Sequence, residues 1–276
     1  VEIVAGCAVE RTGTGEPLVL LHGIGSRRQI WAPLMPVLEP VRDVLAVDLP
    51  GFADAPAAAS GGRHAPGSVA AVADAVERLC AALDVDRPHV AGSSLGGAVA
   101  LELGRRGAAR SVVAFSPAGF WRRPGRLWCQ GVVRTARGLG RAVPARVVRV
   151  LAANPVARPL LFGAFSARPA RLGPDVLAED AAALVASTGF DDAARAFADL
   201  DWSRVLPGDA DGLDRVPVVV AWGTRDVVLP YRPQAARARE LLPGAVHLAL
   251  PGCGHVPFGD DPVACAAVLL SGRSTG

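Results

Sequence analysis

Lysine is absent: all 29 basic residues are arginine, against 26 Asp and Glu, for a formal net charge of +3. In a chain rich in Ala and Gly this choice reads as compositional bias. A nucleic-acid footprint would also bring a recognisable motif and interleaved aromatics, so no nucleic-acid partner is expected. Long apolar runs are missing too. Val216 to Trp222 is among the longest and is far too short to cross a bilayer, so no stable membrane insertion is expected. Residues Val1 to Gly6 lack a basic segment followed by a long apolar core, so no secretory signal is expected. There is no C-x-x-C and no Cys/His cluster with metal spacing. The cysteines Cys7, Cys80, Cys129, Cys253 and Cys265 are odd in number, which fits free thiols in a reducing, cytoplasmic compartment. No metal site is expected from this pattern. With 51% apolar and 20% charged residues among 276, disorder is excluded. The length suits one large α/β domain, or one domain with an insertion.

A further absence is local. From Ser116 to Pro174 there is no Asp or Glu, yet the span holds eleven arginines. Apolar residues there recur at helical spacing (Val143, Val147, Val150, Leu151), and acidic residues return from Pro174 to about Leu200. This predicts a helical insertion over 117–212, between core parts 1–116 and 213–276. Its arginines read as the solvated face of amphipathic helices. The sharper alternative is that they attract anionic substrates or an anionic surface.

On either side of that insertion the chain alternates strand and helix, as a doubly wound, mostly parallel sheet requires. Residues 2–10 read as an outer strand. Leu18 to Leu21 reads as a strand buried on both faces. Arg27 to Leu38 has helical spacing, and Val41 to Val47 is the next strand. Ala53 to Pro66 reads as an exposed loop, and Ser68 as the cap of a helix to about Leu83. Pro88 to Ser93 and Ser111 to Phe115 are strands. Val216 to Trp222 and Ala245 to Leu250 are strands of the second core part, followed by a closing helix from Pro262 and a frayed tail.

The stretch Gly92-Ser93-Ser94-Leu95-Gly96 carries a G-x-S-x-G pattern between a strand and a helix. Side chains at positions 92 and 96 would collide in so sharp a turn, and the serine at its centre is held exposed at the top of a sheet. The following helix offers free N–H groups to a developing negative charge. Glycine is common enough here for the pattern to arise by chance, so its context decides. Ligands of open parallel sheets sit beyond the carboxyl ends of the strands. The turns at that edge carry His22-Gly23-Ile24-Gly25, Ser94, Asp226 and His255. A serine needs a base, histidine supplies one near working pH, and a carboxylate fixes the histidine's tautomer.

The order Ser94, Asp226, His255, with the H-G-x-G loop at His22 to Gly25, Asp48-Leu49-Pro50-Gly51-Phe52 and Gly252-Cys253-Gly254-His255-Val256-Pro257, resembles the α/β-hydrolase fold family, in its serine-nucleophile esterase/lipase-like group. The resemblance covers about residues 1–120 and 210–276 and places a helical cap between them. It implies Ser94 as nucleophile, His255 as general base and then acid, and Asp226 as the orienting acid, with no metal and no cofactor. The backbone N–H groups of Ile24 and Leu95 would form the oxyanion hole, and a carboxylic ester or related small acyl compound would be the substrate. Haloalkane dehalogenases and epoxide hydrolases of this fold use Asp where Ser94 stands. The carbon–carbon bond hydrolases usually have Trp after the catalytic His, where this chain has Val256. Carbon–carbon bond cleavage and acyl transfer remain as alternatives, as does a non-catalytic receptor on the same scaffold.

Other residues compete for these roles. Asp209, Asp211 and Asp214 precede their strand instead of following it. His64 lies in a loop, His89 and His247 in strands, and His22 reads as a support of the oxyanion loop. Asp48 is expected to tie its own turn together. Cys253 has no base of its own and reads as a small buried residue. Trp31, Phe52, Phe120, Trp121 and Trp128 are candidates for the pocket wall, with core packing as the alternative for each.

Overall fold

A computed structural model describes residues 1–57, 62–206 and 211–271. Eight strands form one sheet: β1 (Glu2–Val4), β2 (Cys7–Gly13), β3 (Glu16–Leu21), β4 (Arg42–Asp48), β5 (His89–Ser93), β6 (Ser111–Phe115), β7 (Val218–Gly223) and β8 (Val246–Leu250). Their order is β1-β2-β4-β3-β5-β6-β7-β8. β1 and β2 pair antiparallel, as do β2 and β4, and every later pair is parallel. The single strand expected over 2–10 is therefore two. Ala5 and Gly6 take positive φ values of 52° and 84°, which turns the chain back on itself.

The helices in chain order are α1 (Met35–Leu38), α2 (Val69–Ala82), α3 (Leu95–Arg105), α4 (Arg123–Ala142), α5 (Ala145–Ala153), α6 (Ala157–Phe162), α7 (Pro174–Ala186), α8 (Phe190–Ala196), α9 (Trp202–Val205), α10 (Asp211–Asp214), α11 (Tyr231–Leu241) and α12 (Pro262–Ser271). The helix expected over Arg27 to Leu38 is a 3-10 segment, Arg28–Leu34, running into the short α1. Pro33 and Pro36 remove the N–H groups that a continuous α-helix would need there. Ser68 caps α2 as expected, its Oγ accepting from Ala71 N–H at 3.2 Å. The loop expected over Ala53 to Pro66 forms turns in its described part. Residues 58–61, Asp209 and the tail 272–276 lie outside the described residues.

Both faces of the sheet are covered, which is why its inner strands read as unbroken apolar runs. On one face Trp31, Leu34, Cys265 and Leu269 pack on Leu20, Val44 and Phe115. On the other, Val76 and Leu79 of α2, Val99 and Leu103 of α3 and Ala238 of α11 pack on Val19, Val47 and Val112. Burying one such large side chain contributes about 2 kcal/mol. The result is a rigid floor whose parallel strands end along a single edge.

Helices α4 to α10 all fall between β6 and β7. One stripe of α4 faces inward, with Cys129, Val133 and Arg137 buried at a spacing of four. Arg137 is kept inside by partners. Its guanidinium donates to Ser187 O at 2.6 Å, pairs with Asp191 at 3.0 Å and lies over the Phe190 ring at 4.4 Å. The arginines of the acid-free stretch therefore divide. Arg122, Arg134, Arg141, Arg146 and Arg149 are exposed as expected, whereas Arg137 is buried. Arg168 and Arg171 donate to the carbonyl of Asp260. Among the described residues, no helix is long and apolar enough to cross a membrane.

Candidate active site

Ser94 sits between β5 and α3 with φ 56° and ψ −112°, a conformation that non-glycine residues rarely adopt. Three backbone hydrogen bonds hold it there. Ser94 N–H donates to Phe115 O at 2.9 Å, and Ser94 O accepts from Ala98 and Ala118 at 3.0 Å each. The glycines make the bend possible. A Cβ on Gly92 would lie 2.0 Å from Gly96 O, and one on Gly96 would lie 2.3 Å from Leu21 O. Leu95 is the first residue of α3, so its N–H has no carbonyl one turn back to bind.

His255 follows β8, and its Nδ1 lies 2.8 Å from Asp226 Oδ2. The other carboxylate oxygen of Asp226 accepts from Val228 N–H at 2.9 Å and Leu229 N–H at 2.8 Å. With the carboxylate beside it, Nδ1 carries the proton and Nε2 keeps its lone pair. The two turns are laced together: Arg225 N–H donates to Cys253 O at 2.9 Å, and Gly252 N–H to Thr224 Oγ1 at 2.9 Å. Ser94, Asp226 and His255 are all buried to within 4%.

The turn after β3 approaches the serine closely. A Cβ on Gly23 would lie 3.2 Å from the Cβ of Ser94. Ser26 N–H closes the turn on Gly23 O at 3.2 Å, with Ile24 and Gly25 at its corners. His22 supports it from below. Its Nε2 accepts from Leu49 N–H at 3.0 Å, so its Nδ1 carries a proton and donates to Gly23 O at 2.7 Å. The ring is fully buried, and burial holds its pKa below the ordinary histidine value, so it is a neutral support. Asp48 reaches beyond its own turn. It accepts from Arg28 N–H at 2.6 Å and pairs with the Arg28 guanidinium at 2.5 Å.

One cavity of about 480 Å³ is lined by Gly23, Ile24, Ser94 and His255. The rest of its wall is mostly apolar. Ile30, Ala32 and Pro33 contribute from the segment after β3, and the helices between β6 and β7 add Val133 and Leu139 of α4, Val148 and Leu151 of α5, Leu161 and Phe162 of α6, and Leu177 and Leu184 of α7. The five aromatic residues expected in the pocket do not line it. Trp31 packs on Phe115 and Phe258, Phe52 lies edge-on to His22, Phe120 stacks on Trp202, and Trp121 meets Phe197. Trp128 is on the surface and donates to Val227 O at 2.7 Å. These five rings serve packing or the surface, and the aromatic residues that do line the cavity are Phe162 and Phe165.

Two ties that no sequence pattern announces fasten the helical segment to the turns below it. Arg27 pairs with Asp180 at 2.6 Å and Glu179 at 2.8 Å, both on α7. Leu184 of α7 presses so closely on the β3 turn that a Cβ on Gly25 would lie 2.2 Å from its Cδ1. The second tie is Asp260, fully buried. Its carboxylate accepts from Ser166 Oγ at 2.7 Å, Ala167 N–H at 3.0 Å, Arg168 N–H at 2.7 Å and Gly254 N–H at 2.7 Å. Val256 N–H adds a bond to Phe165 O at 2.7 Å. The only signal in the sequence was an acid five residues after His255.

The competing residues are occupied elsewhere. His89 meets Ser111 Oγ at 2.6 Å, and His247 meets Leu242 O at 2.9 Å. His64 is exposed, 3.9 Å from Asp74. Cys253 is buried in the core, its thiol pushed up to about 11 by burial and by the nearby acids Asp260 and Asp261. No group of three or more His, Cys, Asp or Glu placed to hold a metal occurs among the described residues.

A family model described as alpha/beta hydrolase fold matches residues 16–262. An uncharacterized protein of Mycobacterium tuberculosis is 30% identical over 258 residues, spanning 91% of this chain and 73% of that protein. An epoxide hydrolase of the same organism is 33% identical over 210 residues, spanning 74% of this chain and 94% of that enzyme. Among solved structures, a thermophilic esterase from Thermogutta terrifontis superposes with a TM-score of 0.72 at 22% identity, covering 96% of this chain and 92% of that one.

Proposed function

The chain belongs to the alpha/beta hydrolase fold family, and from that premise we propose that it is a serine hydrolase cleaving an ester of an aliphatic carboxylic acid. The observation that carries this reading is the shared cavity. Ser94 and His255 both line it, while Nδ1 of that histidine is bound to Asp226.

His255 Nε2 takes the proton of Ser94 Oγ as the oxygen adds to the ester carbonyl. The carbonyl oxygen becomes an oxyanion, held by the N–H groups of Ile24 and Leu95, each such donor contributing about 3 kcal/mol to the transition state. Collapse expels the alkoxide, which leaves as the alcohol with the proton from Nε2. Water then gives a proton to Nε2 and adds to the acyl-enzyme. The second collapse releases the acid and returns the proton to Ser94 Oγ. In this reading α4 to α9 form a cap whose aliphatic wall accepts the acyl chain.

The epoxide hydrolase relative raises epoxide opening as a second reading. Attack by Ser94 Oγ on an epoxide carbon would leave a serine ether, which water does not cleave by addition to a carbonyl. A carboxylate nucleophile avoids this by forming an ester, so Ser94 favours acyl chemistry. Acyl transfer passes through the same acyl-enzyme and differs only in the acceptor.

The test is labelling with a fluorophosphonate probe, together with p-nitrophenyl esters of increasing chain length. Labelling and turnover are expected, and both should disappear in Ser94→Ala. A folded protein that neither labels nor turns over any ester overturns the reading.

A further inference from the structure

The cavity reaches the surface through apolar side chains. Leu139, Leu161 and Val176 line it and are also exposed. Beside this mouth, α5, α6 and the connection between them turn further apolar groups outward. Val150 is 68% exposed, Val156 74% and Leu160 83%. Val147 and Val150 lie three residues apart on α5, so they share one face. The inner face of the same helix supplies Val148 and Leu151 to the cavity wall. Exposed apolar side chains scattered singly need no explanation, but a group of them at the rim of an apolar cavity does.

The charge around this group is predominantly positive. Arg141, Arg146 and Arg149 are exposed on and beside α5, and residues 116–174 contain no acid. The acids facing the patch come from α7 and are already paired, Asp175 with Arg149 at 3.5 Å and Glu179 with Arg27 at 2.8 Å. Outward aliphatic side chains flanked by arginine are the chemistry that seats a short helix at a lipid interface. The apolar groups enter the headgroup boundary, and the cations meet anionic headgroups.

We propose that the outer face of α5 and α6 docks on an anionic lipid surface, which sets the cavity mouth against the source of its acyl chains. The docking goes beyond hydrolysis and does not depend on Ser94. Its test is co-sedimentation with vesicles of phosphatidylcholine alone and of an equimolar mixture with phosphatidylglycerol. Binding is expected only to the mixed vesicles, and should weaken on raising salt to roughly 0.5 M. Leu160→Asp combined with Val156→Asp, and separately Arg141→Glu combined with Arg146→Glu, should each weaken binding by about tenfold or more. Both pairs should still turn over a water-soluble short-chain ester at the wild-type rate.

Ser94→Ala should bind vesicles as wild type does, so failure of docking and failure of the hydrolase reading are distinguishable. The proposal is overturned if mixed vesicles are not bound, or if both double variants bind them undiminished. It is also overturned if sedimentation velocity shows a dimer that Leu160→Asp dissolves, because the face then belongs to a second copy of the chain.

Discussion

Asp260 joins Gly254 to Ser166: one carboxylate oxygen accepts the Gly254 N–H at 2.7 Å and the other accepts the Ser166 hydroxyl at 2.7 Å. A single buried side chain thus fixes the residue before His255 to the connection after α6. Asp260→Asn turns half of that acceptor into a donor facing backbone N–H groups. An unfolding free energy lower by about 2–4 kcal/mol is expected in urea titrations, with Asp260→Glu less affected. A variant within about 0.5 kcal/mol of wild type would show that the clamp carries no weight.

The pair His255–Asp226 lends itself to a different measurement. Asp226→Asn keeps the shape but presents a donor to Nδ1, which favours the wrong tautomer. Ester turnover should fall by roughly 10³–10⁴ while the melting temperature stays near that of wild type. Fluorophosphonate labelling should slow in parallel. Labelling at the wild-type rate would remove Asp226 from the proposed mechanism.

Chain-length preference follows from the cavity wall. Each further methylene buried contributes about 0.8 kcal/mol, or roughly fourfold in kcat/KM, until the space is full. Ala136 lines the cavity on α4, on the same side as Val133 and Gly140. Ala136→Phe should leave acetate and butyrate esters nearly untouched and lower kcat/KM for octanoate esters by about tenfold or more. An unchanged chain-length profile would place the acyl group elsewhere.

Acid sensitivity follows from His22. Burial holds its pKa below the ordinary value, so the folded state keeps it neutral. The unfolded chain takes up a proton near pH 6.5. Between that pH and the lower folded value the unfolded state binds more protons, so stability falls as pH falls, by at most about 1.4 kcal/mol per pH unit. Above pH 6.5 this contribution is fully present. In His22→Gln the loss of stability between pH 7 and pH 5 should be shallower than in wild type. Equal slopes would show that another group sets the acid limit.

Much of the architecture was legible because its signals are local. Leu18 to Leu21 and Val218 to Val220 are apolar on both faces, as strands of a covered parallel sheet must be. The glycines around Ser94 report a turn that no other residue fits. Departures arose where a local pattern met a backbone rule, as at Pro33 and Pro36, or at Ala5 and Gly6. The positions of Ser94, Asp226 and His255 at one sheet edge followed from chain order and strand ends. For the pocket wall, aromatic content points to Trp31 and Phe120, but the core claims their bulk. Much of its wall is ordinary Val, Leu and Ala of four helices, joined by Phe162 and Phe165, and which face each helix presents depends on contacts distant in sequence. Asp260 carries no local signal for the same reason, since its hydroxyl partner Ser166 lies 94 residues away.

The ties at Arg27 and Asp260 also bear on how such a protein can change over generations. A segment bolted to both turns beneath it is not a detachable module. Replacing α4 to α9 with the corresponding stretch of another protein would remove Leu184 from above Gly25 and the four donors and acceptors around residues 165–168. The graft would bring a new pocket but would leave His255 and the turn bearing Ile24 without their roof. Single substitutions along the inner stripe of α4, at Val133 or Ala136, alter the cavity without touching either tie.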